Sequence, residues 1–335
     1  MELRQLGTSD LRITPIVLGT WAIGGWWWGG TDDQAAGEAV EAALDEGVNC
    51  IDTAPIYGFG HSERIVGEAI RGRRDEVVLA TKCGQRWDSE EGQHFFDDDT
   101  HQAGRVSVYR NLRRDSILRE CEQSLERLGV DVIDLYQCHW PDPTTPIEET
   151  MGALMELLEQ GVIRAIGVSN FTVGQIEECL RYGPVHSSQP RFSLLQRQSM
   201  EELIPFCDER DIASIVYSSL EQGILTGKVT PDREFEEGDK RPDKNPWFHE
   251  ENLRQALEVI DESLRPVAEA HDATLAQIAL AWTIQAPGIT AALAGARRPD
   301  QARENAAAMQ IELSEEEWQD IEAAFQGLEP KAGFG

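Results

Sequence analysis

An aspartate, a tyrosine, a lysine and a histidine each stand where an apolar run of this chain stops. Residues 48–51 read as a short buried strand ending on Asp52, and Tyr57, past the turn at Pro55, can fold back over that end. The run at 77–82 ends on Lys82, and the run at 132–139 ends on His139. In a parallel α/β protein the carboxyl ends of the strands form the edge where ligands bind. A free phenol, with a pKa near ~10, is a weak acid for protonating an alkoxide at neutral pH. An adjacent ammonium lowers that pKa, a carboxylate holds the ammonium, and a facing imidazole orients a carbonyl oxygen. Taken singly, each residue has a plainer reading: core tyrosine, snorkelling lysine, turn-capping aspartate. Their convergence at strand ends is what points to proton transfer.

In order and in local context, Asp52, Tyr57, Lys82 and His139 match the catalytic tetrad of the aldo-keto reductases. The chain resembles that family from Gly19, Thr20 and Trp21 near its start to Gly295, Arg297, Gln301, Glu304 and Asn305 near its end. The resemblance implies an α/β fold, a (β/α)8 TIM barrel with an N-terminal β-hairpin plug and long rim loops. It also implies reduction of aldehydes or ketones by NAD(P)H, reversible towards alcohols or polyols, with Tyr57 as proton donor. The alternative it leaves open is a cofactor-binding regulatory or auxiliary subunit on the same barrel. Residues 28–32 and 220–223 are most similar to bacterial relatives that include polyol dehydrogenases and general stress reductases.

The periodicity agrees with one barrel domain over 1–335. Strands are expected at 16–18, 48–51, 77–82, 132–139, 162–168, 187–192, 212–217 and 289–294. Helices are expected between them at 34–46, 62–71, 112–128, 147–158, 173–180, 201–209 and 300–309, with one or two more within 251–284. A hairpin opens the chain at 2–13, and Ser314 with Glu317 forms a capping box before a terminal helix. Two long polar segments, 85–111 and 218–250, are expected as irregular loops over the rim. Trp26, Trp27 and Trp28, flanked by glycine pairs, cannot all face one core, so they belong to a loop that exposes indole or lines a pocket.

No G-x-G-x-x-G is present; the nearest stretch, 58–63, fails at its last position. No tyrosine is followed four residues on by lysine. The family resemblance implies a different cradle. Ser169, Asn170 and Gln189 would bind the carboxamide, and Tyr217 would stack on the nicotinamide. Ser218, Leu220, Gln222, Gly223 and Lys228 would hold the pyrophosphate; Ser219 stands where proline is usual, a departure expected to loosen that loop. Arg297 would take a 2′-phosphate beside the Gly295 turn, with Gln301, Glu304 and Asn305 against adenosine. NADP(H) is favoured and NAD(H) stays open. Trp21, Trp26, Trp27, Trp28, Trp87 and Trp140 are candidates for the substrate wall. No metal site is expected.

Composition limits the partners. Sixty acidic and thirty basic residues give a net charge of −30, with only five lysines. Such a field repels nucleic acid and anionic membrane. It suits either solubility or a high-salt habitat. Six scattered cysteines, the absence of a signal-like start and the lack of any ~20-residue apolar run fit a cytoplasmic monomer or small homo-oligomer. A serine-hydrolase reading fails because residues 167–171 lack the final glycine of a nucleophile elbow.

Overall fold

The computed structural model describes residues 2–99 and 104–331. Strands β1 (Arg4–Gln5) and β2 (Arg12–Ile13) pair antiparallel and place Leu6, Leu11 and Ile13 against the barrel interior, as a plug. The barrel strands are β3 (Ile16–Gly19), β4 (Cys50–Asp52), β5 (Val78–Cys83), β9 (Ile133–Cys138), β10 (Ile163–Ser169), β11 (Ser187–Gln189), β12 (Ala213–Val216) and β13 (Ala291–Gly295). They pair in parallel in that order, and β13 closes on β3. This is the expected (β/α)8 barrel. Strand β11 is shorter than expected because Pro190 has no N–H to continue the ladder.

The outer helices form where periodicity placed them, with caps that the sequence specifies. Asp32 accepts from the Ala35 amide at the start of Asp33–Asp45. Thr274 and Ser314 both make full capping boxes. The expected helical region 251–284 is broken: Glu250–Val259 passes through a wide π-turn at Ile260–Leu264 into Arg265–Ala270, then Leu275–Gln285. Pro266, which lacks an amide hydrogen, follows that turn.

The segment 85–111 corrects one expectation. It carries an antiparallel sheet of β6 (Gln85–Arg86), β7 (Gln93–Asp98) and β8 (Val106–Arg110), with β8 in the centre. A register shift between His94 and Phe96 hides its alternation, so acidic composition dominated the reading. Phe96 and Val108 pack with Ala54, Ile56 and Trp26, which sets this sheet over the rim. The 218–250 segment also crosses the rim. There Trp28 bridges Asp239, the Lys240 amide donates to the Trp27 carbonyl at 3.1 Å, and the Arg241 guanidinium lies 4.5 Å over the Trp28 ring.

Two contacts set the Tyr57 turn. A Cβ on Gly24 would lie 2.5 Å from the Tyr57 carbonyl carbon, and Gly58 has a φ of +67° beside the Gly24 carbonyl. Below the turn, Ser62 Oγ donates to the Thr20 carbonyl at 3.1 Å and lies 3.0 Å from Thr53 Oγ1. Alanine at Gly24 should therefore overpack this junction, with a loss of about 1–3 kcal/mol. Denaturant unfolding of Gly24→Ala reads this directly, and an unchanged midpoint would refute the close approach.

Glu120 braces the exit of β5. It is buried, accepts from the Gly84 amide and from Ser116 Oγ, both at 3.0 Å, and has its carboxyl raised to about 7, chiefly by burial. The folded protein thus holds a proton on Glu120 that the unfolded chain releases near pH ~4.5. Stability from this group is full below pH ~4.5 and falls as pH rises towards 7, by about 3 kcal/mol. Glu120→Gln should flatten the decline in unfolding free energy between pH 5 and 8, measured by urea titration; an equally steep decline would contradict this assignment.

Candidate active site

Strand register brings the four predicted residues together. Asp52 ends β4, Lys82 lies in β5, His139 follows β9, and Tyr57 hangs over them from the glycine-set turn. Lys82 is fully buried, and all three ammonium hydrogens are used. Nζ donates to Asp52 Oδ1 at 2.5 Å, to the Thr53 carbonyl at 2.9 Å and to Tyr57 Oη at 3.2 Å. The His139 ring faces the phenol edge-on, with centroids 5.8 Å apart. Its backbone is fixed by an amide bond to the Cys83 carbonyl at 2.9 Å and by Asn170 Nδ2 on its own carbonyl at 3.0 Å.

Electrostatics refine the expected chemistry. Burial disfavours the Lys82 ammonium, but Asp52 and Tyr57 outweigh it and raise its pKa above the usual value. Burial raises the Tyr57 phenol; the Lys82 ammonium offsets that only in part, and Asp52 adds to the rise. The expected lowering of this pKa is therefore absent in the bare site. The phenol keeps its proton at neutral pH, with the Lys82 ammonium 3.2 Å from its oxygen. Burial, with Lys82 adding to it, holds His139 well below the usual histidine value, so it is a neutral hydrogen-bonding group.

Tyr57 and His139 open into a cavity of about 640 Å³ on the rim. Every residue expected to hold a cofactor lines it, from Gly19, Thr20 and Trp21 to Gln301, Glu304 and Asn305. The residues expected to hold a carboxamide are bonded to one another. Ser169 Oγ donates to the Gln189 carbonyl at 2.8 Å, Asn170 Nδ2 donates to Ser169 Oγ at 3.0 Å, and Tyr217 Oη donates to Asn170 Oδ1 at 2.8 Å. These bonds fix the Tyr217 ring as one wall.

The 218–223 loop is tight, contrary to the loosening expected from Ser219. Ser219 is buried, and its Oγ donates to the Val216 carbonyl at 3.4 Å. Ser218, Glu221 and Gln222 are left-handed, with φ of +59°, +45° and +54°, and Gly223 has +105°. Such strain persists only where the surroundings impose it. Here Glu221, fully buried, accepts from Arg191, from Ser193 Oγ at 2.9 Å and from Asn245 Nδ2 at 2.8 Å.

Arg297 differs from the open fork expected of it. Its Nη1 donates to the Trp28 and Gly30 carbonyls at 3.0 and 3.1 Å, tying the tryptophan loop to the last strand. Gln301 Oε1 accepts from the Arg297 amide at 2.9 Å, Asn305 Nδ2 donates to the Gly295 carbonyl at 3.1 Å, and Glu304 pairs with Lys228 at 3.2 Å. Trp21, Trp26, Trp27, Trp28 and Trp140 all line the cavity. Trp87 does not; it packs behind the rim against Phe59, with centroids 5.4 Å apart.

Several lining residues escaped the sequence reading. Phe95 and Phe96 arrive on β7, and Arg191, Arg233, Arg241 and Lys244 complete a basic lining. With Lys228, Arg297 and Arg298 they set seven cations against Asp52 and Glu304 in the cavity wall of a chain whose net charge is −30. Among the described residues, Arg233, Lys244 and Arg297 have no carboxylate partner. The scarcity of lysine was a usable signal: three of the five lie at 228–244.

Residues 15–326 match the model of the aldo/keto reductase family. An NADH-specific methylglyoxal reductase of Escherichia coli is 41% identical over 94% of this chain and 95% of its own. The aldo-keto reductase YhdN of Bacillus subtilis is 39% identical over 90% of this chain and 86% of its own. The structure of a glycerol dehydrogenase from Gluconobacter oxydans superposes with a TM-score of 0.86 at 35% identity, covering 99% of this chain and 97% of that one. A closed parallel barrel, a buried acid–lysine–phenol chain at its rim and these matches over nearly the full length lead to one conclusion: the chain belongs to the aldo/keto reductase family.

Proposed function

We propose that this protein reduces an aldehyde or ketone to the alcohol, reversibly, with Tyr57 as the proton donor. The observation that carries the reading is the bonded series Asp52–Lys82–Tyr57, which is buried at its base and open to the rim cavity at the phenol. A bound nicotinamide cofactor supplies the reducing equivalent. The chain's residues do the rest. Neutral His139 donates a hydrogen bond that orients the carbonyl oxygen. Tyr57 Oη gives its proton to the oxygen as negative charge develops there, and Lys82, held by Asp52, stabilises the resulting phenolate. Run in reverse, the same groups accept the proton of an alcohol or polyol.

The residues fit a dinucleotide. A cationic lining within an acidic chain favours pyrophosphate, and the left-handed run at 221–223 turns backbone towards the cavity near Lys228. In this reading Asn170, Ser169 and Tyr217 hold the nicotinamide end and Gln301 and Asn305 the adenosine end, a reading supported by their place in the cavity lining. NADP(H) is the preferred cofactor in this reading. Arg298, held only by the exposed Asp300 at 3.1 Å, is freer than Arg297 to turn onto a 2′-phosphate. The substrate is a small carbonyl compound or polyol received between the tryptophans and Tyr57.

NADPH and NADH oxidation with a panel of aldehydes, ketones and polyols tests the reading. Tyr57→Phe should lower kcat by about 100-fold, the scale of a lost general acid; wild-type-like turnover would remove Tyr57 from the role. Arg298→Ala should raise KM for NADPH roughly tenfold while leaving NADH almost unaffected, the scale of one hydrogen bond between charged groups. Equal effects on both cofactors would count against an arginine bound to the 2′-phosphate.

A further inference from the structure

We infer that Gln137 is a positioning residue for proton transfer, acting through Asp52; the inference rests on the proposed role of Tyr57. Oxygen Oδ1 of Asp52 faces Lys82, and the other oxygen faces two amides. Gln137 Nε2 donates to Oδ2 at 3.0 Å and Gln189 Nε2 donates to it at 2.9 Å. Gln189 Nε2 is also 3.2 Å from Gln137 Oε1, so the amides are linked to each other as well as to the acid. All three side chains are buried. A carboxylate removed from water needs its lone pairs satisfied by donors, and bonds to a charged group are the stronger kind.

The barrel makes deliberate room for this residue. Gln137 stands in register with Lys82 on β5 and with Gly167 on β10. A Cβ on Gly167 would lie 2.8 Å from Gln137 Cγ and 2.5 Å from Ser187 Oγ. The φ of Gly167 is not left-handed, so backbone freedom does not call for glycine there; space does. Gln137 does not line the cavity, whereas Gln189 does. Gln137 therefore touches neither the substrate nor the cofactor space.

The consequence for chemistry runs through geometry. With Oδ2 held by two amides, Asp52 presents Oδ1 to Lys82, and Lys82 keeps a hydrogen on Tyr57 Oη at 3.2 Å. Without the Gln137 amide the carboxylate has one donor on Oδ2 and is free to turn, and the ammonium follows it. The phenolate formed after proton transfer is then less well stabilised, while Gln189 loses one acceptor but keeps its bond to Asp52 Oδ2, and the bonds of Ser169, Asn170 and Tyr217 do not involve the Gln137 amide.

Gln137→Met keeps the length of the side chain and removes its amide. In the full-length protein, kcat for carbonyl reduction should fall about tenfold, the scale of one hydrogen bond to a charge. The dissociation constant for NADPH, read from quenching of tryptophan fluorescence, should stay within about twofold. In an Asp52→Asn background the same substitution should cost almost nothing more, since both act along one path. Gly167→Ala, which displaces Gln137 from the neighbouring strand, should reproduce the fall in kcat and serves if Gln137→Met does not fold. An unchanged kcat in both variants, or parallel decreases in kcat and NADPH binding, would overturn the inference. Tyr57→Phe keeps the two ideas apart. If it retains turnover, the proton-donor reading fails; if it is inactive while Gln137→Met is normal, only the positioning role fails.

Discussion

A lysine with no exposed surface is the constraint on which the rest of this structure depends. Burying an ammonium costs several kcal/mol unless it is paired and hydrogen-bonded throughout. Lys82 meets that requirement with one carboxylate, one carbonyl and one phenol. Each partner has to be held in its turn. Asp52 is fixed by amides from β9 and β11, the Thr53 carbonyl by continuation of β4, and Tyr57 by the glycine contact between its turn and residue 24. A closed barrel is a physical solution to this problem, because it surrounds one point with the ends of eight strands.

The second constraint is charge. A chain carrying −30 would repel a dinucleotide, yet the rim cavity gathers cations on three separate segments. The tryptophan loop and the 218–250 segment also hold each other through backbone pairing at Trp28 and Asp239 and through Arg241 lying over Trp28. Trp27 Nε1 donates to Asp98 at 2.5 Å, which joins the tryptophan loop to the added sheet. The aromatic wall is thus fixed from both sides, by the 218–250 segment and by the added sheet, and owes little to local propensity.

Most of the framework was legible in the sequence because barrel strands are short apolar runs with fixed neighbours. The tetrad was legible for the same reason: each member sits at or just past the end of such a run. The failures have local causes. A bulge near Phe95 disguised β7, and Pro190 cut β11 short. Gln137 gave no signal, since one amide in an apolar strand has no period; its meaning depends on Gly167 and Gln189 across the barrel. Arg297 was placed correctly on the rim, but its bonds to carbonyls of a loop 267 residues away could not be read from the sequence. The phenol's raised pKa was illegible for a related reason: burial, a property of the whole fold, outweighs the neighbouring cation.

Two buried carboxylates on adjacent parts of the barrel show what separates chemistry from support. Asp134, on β9 near its amino end, accepts from Arg74 at 2.6 Å, from Arg164 at 2.7 Å and from the Leu79 amide at 2.8 Å. Both arginines reach solvent, and Arg164 goes on to the exposed Asp10 at 2.8 Å, so the cluster ends at the surface as a latch at the base. Asp52 is as deeply buried, but its cation is a lysine that directs its last hydrogen to a phenol. An arginine there would keep its charge fixed and spread over a planar fork. A lysine concentrates it at one atom, 3.2 Å from the Tyr57 phenol oxygen. The same elementary device, a buried acid with a cation, becomes a latch at one end of the barrel and the support of the proposed proton donor at the other. The difference lies in what the cation's remaining donor reaches.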